Sequence, residues 1–160
     1  MSFQFLQTSM GTLRLCWSEG LLGRMEFIES NEVNSTLEPI RPSIKKFTCV
    51  PSGTAFQKRV WAEVAEIPRG ETSTYGTLAT RIGSPESSRA VANAVGSNPL
   101  AVVLPCHRVV PAQGGVGGFR WGKKRKCQFL DWEAEGLDVF NELCGIPSYR
   151  FQLTLGHNDC

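Results

Sequence analysis

The chain has 160 residues, 41% hydrophobic and 20% charged, with a net charge of +2. That length suits one domain, or a compact domain with a small partner. No apolar run approaches the roughly 18 residues of a membrane span, and Met1-Ser-Phe-Gln-Phe-Leu6 lacks the basic and apolar regions of a secretory signal, so a cytoplasmic protein is expected.

Residues 1–30 show period two. Phe3 and Phe5 alternate with polar neighbours, Leu13, Leu15 and Trp17 with Thr12, Arg14 and Cys16, and Met25 and Phe27 with Arg24 and Glu26. This is the pattern of half-buried antiparallel strands. Residues 31–53 are polar, carry Pro39, Pro42 and Pro51, and read as a connection with room for a short helix. A β-rich region over 1–53 is therefore expected.

A second region, 54–136, opens at Thr54. Thr54 and Gln57 fit a capping box, and Phe56, Val60, Val64 and Ile67 follow at helical spacing, with Trp61 as core. Tyr75, Leu78, Ala79 and Ile82 share the face of a second helix, stopped by Gly83. Ser84 and Pro85 start a third over 86–95, ended by Gly96. Two short helices joined by a tight turn form a helix-turn-helix pattern. The third helix is built from small residues, Ser87, Ser88, Ala90, Ala92 and Ala94, with Arg89 its one long side chain. Such a helix packs tightly on a neighbour or enters a DNA groove.

Leu100-Ala-Val-Val-Leu104 is an apolar run between prolines and reads as a buried strand. It delivers Pro105-Cys-His-Arg-Val-Val110, a thiol beside an imidazole and a guanidinium. The glycine-rich run 113–118 lacks the Lys-Ser/Thr of a phosphate-binding loop and reads as a mobile loop or tight hairpin. Lys123-Lys-Arg-Lys126 leads into a helix over 127–135, closed by Gly136. These cations either bind phosphate or are a solvated helix start. Residues 137–160 carry no motif and are expected as a tail of unassigned role.

Charge is unevenly placed. Residues 54–130 hold eleven Lys/Arg against four acids, and residues 131–160 one Arg against six acids. A basic middle suits a polyanion or a solvated surface. The six cysteines form no C-x-x-C pair and only two histidines are present, so neither a metal site nor a disulfide framework is expected.

A cysteine nucleophile needs its thiolate, which a nearby imidazole and positive charge favour. Neighbours on a strand face opposite ways, so Cys106 and His107 meet only through a backbone bend or a relaying water. Glu133 is a candidate to orient the imidazole. Three readings compete: a thiol that attacks an alkyl group on DNA, a Cys-His hydrolase or transferase acting on a small substrate, and a DNA-binding module with a structural cysteine. Only the first uses both the helix pair and the Cys-His stretch.

Pro105-Cys-His-Arg-Val109 resembles the signature of the O6-alkylguanine-DNA alkyltransferases, the methylated-DNA–protein-cysteine S-methyltransferases. The match runs in order through Gly53-Thr-Ala-Phe56, Ile67-Pro-Arg-Gly-Glu-Thr72, Tyr75, Arg89-Ala-Val-Ala92, Gly96-Ser-Asn-Pro99, the signature, Gly117-Gly-Phe-Arg-Trp-Gly122 and Glu133-Ala-Glu-Gly136, about half the chain. The resemblance implies an α/β (α+β) fold, with a small N-terminal β-sheet region before a mostly helical, winged-helix-like DNA-binding and active-site domain. It implies direct repair: Cys106 would take the alkyl group of O6-alkylguanine once and irreversibly, after the base is flipped out of the duplex.

Roles follow from the same resemblance. Glu133 would orient His107, which would deprotonate Cys106 through a water. Tyr75 would donate toward guanine N3, and the Val109 and Cys106 carbonyls would receive the exocyclic amine. Phe119 and Arg120 would flank the alkyl pocket, and Asn98 would hold the turn before the active-site segment. Arg89 would replace the flipped base, with Ser88, Ala90 and Ala94 facing the DNA. The partner would be double-stranded DNA carrying O6-alkylguanine, with O4-alkylthymine a second candidate lesion. A monomer without cofactor or metal is implied. Phe119 stands where the family usually has tyrosine and Ala101 where some members have proline, which alters rate or substrate range. The zinc ligands of some eukaryotic members have no counterpart, and Cys106 excludes the alkyltransferase-like proteins that carry tryptophan there.

Overall fold

The computed structural model describes residues 1–33, 38–39, 46–145 and 150–155. In chain order its elements are β1 (Ser2–Thr8), β2 (Gly11–Ser18), β3 (Leu21–Ile28), β4 (Glu38–Pro39), β5 (Lys46–Cys49), α1 (Ala55–Ala65), β6 (Ser73–Thr74), α2 (Tyr75–Arg81), α3 (Ser88–Gly96), β7 (Val109–Val110), α4 (Lys123–Ala134), α5 (Val139–Cys144) and β8 (Arg150–Leu153). The chain forms two compact units. None of the described helices is long and apolar enough to cross a membrane.

The first unit takes Met1–Ser52, Pro99–Val103 and Val139–Thr154. Its sheet has the order β4-β1-β2-β3-β5-β8, with β1, β2 and β3 antiparallel. Alternation buries Leu13, Leu15, Leu22 and Met25 completely. Glu26 breaks it: this carboxylate is buried but meets Arg14 at 2.5 Å and Arg24 at 3.5 Å. A 3-10 turn, Ser30–Glu32, stands at the head of the expected connection. Residues 34–37 and 40–45 of that connection, with Pro42, lie outside the described residues.

Three expectations are corrected in this unit. Of the expected tail 137–160, the described residues 139–145 and 150–154 belong to the first unit. Val139, Phe140 and Leu143 of α5 are buried, the Leu143 carbonyl accepts from Ser9 N at 2.9 Å, and β8 pairs in parallel with β5. Phe151 stacks on Phe47 and takes the edge of Phe140, so apolar burial draws this segment into the sheet. His157 and Cys160 lie outside the described residues. Second, residues 100–104 are not a strand. Only Leu100 bridges to Met25, and the chain then turns through Val102 at φ +70°. The bracketing prolines lack N–H donors and cannot extend a ladder. Third, the region expected as 54–136 is interrupted, because Pro99–Val103 belong to the first unit.

The second unit is built on Gly53–Asn98 and Leu104–Asp138. α1 begins at the expected capping box, with Gln57 N donating to Thr54 Oγ1 at 3.1 Å and Gln57 Oε1 accepting from Thr54 N at 2.9 Å. Val60, Trp61 and Val64 pack with Leu78 and Ala79 of α2 and Val91 and Val95 of α3 as its helical core. The indole of Trp61 donates to the Ala94 carbonyl at 2.8 Å. Gly83, at φ +77°, ends α2 as expected. α3 begins at Ser88, not at Glu86: residues 85–86 form a turn, and Ser87 stands at the cap.

Candidate active site

The 106–108 segment is a single 3-10 turn, closed by Arg108 N donating to the Pro105 carbonyl at 2.9 Å. This is the bend that a strand would not provide, because successive side chains of a 3-10 turn point about 120° apart. β7 then pairs in parallel with β6, Val109 opposite Ser73 and Val110 opposite Thr74. That pairing ties the signature to the start of α2. Thr74 caps this helix, its Oγ1 accepting from Thr77 N at 3.1 Å, and Tyr75 is the next residue.

Tyr75, Ala92, Val95, Gly96, Cys106, Gly118, Phe119 and Arg120 line a cavity of about 210 Å³. Cys106 is 5% exposed. Asn98 Nδ2 lies 3.0 Å from its Sγ and donates to the Leu104 carbonyl at 2.9 Å. Burial pushes the thiol up to about 11, against the Asn98 hydrogen bond and the charges of Lys126 and Arg120, which pull it down. Burial also raises the Tyr75 phenol, with the nearby Cys106 adding to it, so Tyr75 keeps its proton.

His107 is 1% exposed, and its ring meets Phe129 edge-on at 5.4 Å. Its Nε2 lies 2.9 Å from Glu133 Oε1. Its Nδ1 is buried and has no protein partner. Arg108 joins the pair, with Nε at 3.1 Å from Oε1 and 2.9 Å from Oε2, and Nη2 at 2.6 Å from Oε1. Its Nη1 donates to the Ile67 carbonyl at 2.7 Å. Burial favours the neutral form of both partners. It prevails at His107, whose imidazole is held below its ordinary value and is neutral near pH 7. At Glu133 the bonds and charges of His107 and Arg108 outweigh burial and hold the carboxyl at about 2. With His107 neutral, Arg108 is the full positive charge that matches Glu133.

Lys126 was missed as a site residue. It was read with the basic run as phosphate-binding or solvated, yet it is 0% exposed. Its Nζ donates to the Val109 carbonyl at 2.7 Å and to the Gly118 carbonyl at 3.1 Å, joining β7 to the glycine-rich loop. Gly117 in that loop has φ +72°, and a Cβ there would come within 2.7 Å of Pro111. Only glycine fits such a position. Phe119 packs edge-on to Phe129 and Trp121, forming an apolar wall.

On α3, Arg89, Ala90 and Asn93 are exposed and Ser88 is partly exposed. Ala94 is not on that face. It is buried, with its carbonyl under the Trp61 indole, which corrects its place beside Ala90. Ala101 is fully buried in the first unit.

A family model described as "6-O-methylguanine DNA methyltransferase, DNA binding domain" matches residues 55–135. A probable methylated-DNA–protein-cysteine methyltransferase of Acanthamoeba polyphaga mimivirus is 36% identical over 145 residues, covering 83% of this chain and 97% of that protein. The Salmonella typhimurium regulatory protein Ada is 54% identical over 83 residues, 52% of this chain, and the chain spans only 24% of that relative's length. Among solved structures, Mycobacterium tuberculosis OGT in complex with DNA superposes with a TM-score of 0.73 at 29% identity, covering 88% of this chain and 99% of that one. The O6-methylguanine methyltransferase of the same organism gives 0.70 at 31% identity, covering 84% and 93%.

Proposed function

The chain belongs to the 6-O-methylguanine DNA methyltransferase family, and from that premise we propose that it repairs O6-alkylguanine in DNA by taking the alkyl group onto Cys106. The observation that carries the reading is one arrangement: a pocket-lining sulfur that accepts from Asn98, next in chain to a neutral imidazole held by Glu133.

With its pKa raised to about 11, the resting thiol is protonated at neutral pH. It therefore needs a base at the moment of reaction. Glu133 accepts the Nε2 proton of His107, which leaves the Nδ1 lone pair as that base. A water relays the thiol proton to it. The Asn98 amide and the Lys126 charge favour the thiolate as it forms.

The thiolate attacks the alkyl carbon in line. The S–C bond forms, the C–O6 bond breaks, and the electron pair leaves with guanine. Tyr75, a protonated phenol in the pocket wall, donates toward N3 of the departing base. The Val109 carbonyl receives the exocyclic amine together with that of Cys106. One lone pair of the Val109 oxygen already takes Lys126, and a carbonyl has two. O6 is not reachable inside a duplex, so the base is flipped out. The exposed face of α3 serves this step: Arg89 fills the vacated stack while Ser88 and Ala90 let the backbone come close to the groove. A thioether is a poor leaving group, so each molecule acts once. The reaction is placed in the cytoplasm, with duplex DNA as the partner.

Intact mass after incubation with O6-methylguanine duplex tests the reading. A gain of one CH2 on Cys106, limited to one per chain, is expected. Repeated turnover on an ester or amide with no mass change would favour a Cys-His hydrolase instead.

A further inference from the structure

The sheet of the first unit carries a second, larger cavity. The strand register sets Phe3, Cys16 and Arg24 side by side across β1, β2 and β3, with Arg14 opposite Glu26 in a neighbouring row of the same face. At Trp17 the pairing slips: its partner is Leu22, which leaves Gly23, without a side chain, out of the register. Arg14, Cys16, Trp17, Gly23, Arg24 and Glu26 all line a cavity of about 630 Å³. Sites for small organic ligands run from about 300 to 1,000 Å³. Met1, Phe3 and Leu21 are the exposed large apolar side chains among the described residues, and all three line this cavity. Exposed apolar surface gathered in one place marks a binding surface.

The lining also holds donors with nothing to bind. Arg14 Nε and Trp17 Nε1 are buried and have no hydrogen-bond partner. Glu26 meets Arg14 Nη2 at 2.5 Å but Arg24 only at 3.5 Å, and the Arg24 side chain is half exposed. Cys16 adds no anion, because burial raises its thiol above the ordinary value and keeps it protonated. Glu19, the other carboxylate at the cavity, is exposed on the turn after β2.

We propose that this cavity binds a small carboxylic acid with an apolar, ring-sized body. The site is separate from alkyl transfer, and the inference does not rest on that reading. The ring lies against Phe3 and Leu21, where removal of apolar area from water drives it in. The carboxylate accepts from Arg24, with the free N–H groups of Arg14 and Trp17 as further donors. A guanidinium presents paired N–H groups that match two carboxylate oxygens, and such charge-assisted bonds are the stronger kind. A buried donor left without an acceptor is unfavourable, so an acceptor brought by the ligand gains more here than at a solvated surface. A neutral amide of the same shape offers one acceptor and brings N–H groups of its own against these donors. The site therefore selects the acid over the amide.

The test uses naphthylacetate and naphthylacetamide, which share a ring and a spacer and differ in the charged end. Binding to the full chain is measured by titration calorimetry. Its place is read from the indole N–H NMR signal of Trp17, identified by its loss in Trp17→Phe. The acid is expected to bind about tenfold more tightly than the amide, and to shift the Trp17 signal with the same midpoint. Arg24→Gln alters a half-exposed side chain whose printed contact is long, so the fold is kept while the preference for the acid falls to about threefold or less. Equal affinity for acid and amide overturns the assignment, as does an unchanged preference in Arg24→Gln. A shift confined to Trp121, which packs on Phe119 of the Cys106 cavity, or no binding of the acid at millimolar concentration, overturns it too.

Discussion

Arg108 grips Glu133 with three hydrogen bonds, from Nε to both carboxylate oxygens and from Nη2 to Oε1 at 2.6 Å, while His107 makes one at 2.9 Å. The carboxylate that orients the base is thus charge-matched by the residue after the base. Burial holds His107 neutral, and the Arg108 charge adds to it against the pull of Glu133. Were Glu133 unmatched, it would draw a proton onto the imidazole, and a charged imidazole cannot accept the thiol proton.

Arg108→Gln is therefore expected to change the pH profile as well as the stability. The imidazolium gains an unmatched carboxylate and loses a repelling cation, so the acid limb of the transfer rate moves to higher pH. Breaking a buried pair also lowers stability by about 3–5 kcal/mol. Arg108→Lys restores part of both. Rate-against-pH curves check this, and an acid limb that stays in place for Arg108→Gln would refute the charge-matching role.

Stability should fall at both ends of the pH range, for different residues. Glu133 has a depressed pKa, so its contribution is present above about 4.5 and is lost as pH falls toward about 2. His107 is also depressed: buried neutral, it begins to cost stability below its ordinary 6.5, where the unfolded imidazole charges first. Cys106 is raised, so its contribution is present below 9.0 and is lost as pH rises toward about 11. At about 1.4 kcal/mol per pH unit the loss from Cys106 is limited to roughly 2–3 kcal/mol. Urea melts from pH 2 to 11 measure all three, and Cys106→Ala should remove the Cys106 share of the alkaline loss, leaving that of Cys49, which burial raises to about 12.

Much of this site is legible in the sequence because its residues sit in local patterns. Thr54 and Gln57 announce a helix start, Gly83 a helix end, and Cys106-His107 a thiol beside a base. Glu133 could be named as the orienting group by type, although no spacing shows it to be near. Lys126 could not be found this way. It stands in a run of four cations, and only the direction of α4 decides which one turns inward to meet the Val109 carbonyl. The segment 100–104 misleads for the opposite reason: Leu100, Ala101 and Leu104 are buried as a strand's residues would be, but between Pro99 and Pro105 the chain turns, with Val102 at φ +70°. β8 is invisible locally because its partner, β5, lies about a hundred residues earlier.

Lys126→Met should separate the charge of this lysine from its bulk. The variant keeps an unbranched buried side chain but leaves the Val109 and Gly118 carbonyls without their charged donor. A stability loss of about 1–3 kcal/mol is expected. The Cys106 thiol also loses a cation that pulls its pKa down, so it should titrate above about 11. The pH dependence of Cys106 alkylation by iodoacetamide measures that midpoint, and a midpoint at or below the wild-type value would exclude an electrostatic role.

Ala90 and Ala94 provide the sharpest test of the α3 face, because they are chemically identical and differently placed. Ala90 is exposed, whereas Ala94 is buried at the Trp61 indole. Ala94→Leu overfills the helical core and should lower stability by about 1–3 kcal/mol. Ala90→Leu should leave the melting transition within about 0.5 kcal/mol of the wild type, as surface substitutions do, yet slow transfer from duplex DNA. Arg89→Ala should behave like Ala90→Leu. Both should react with free O6-benzylguanine at close to the wild-type rate, since the free base needs neither groove contact nor flipping. Equal slowing on duplex and free base would move Arg89 and Ala90 off the DNA-facing surface.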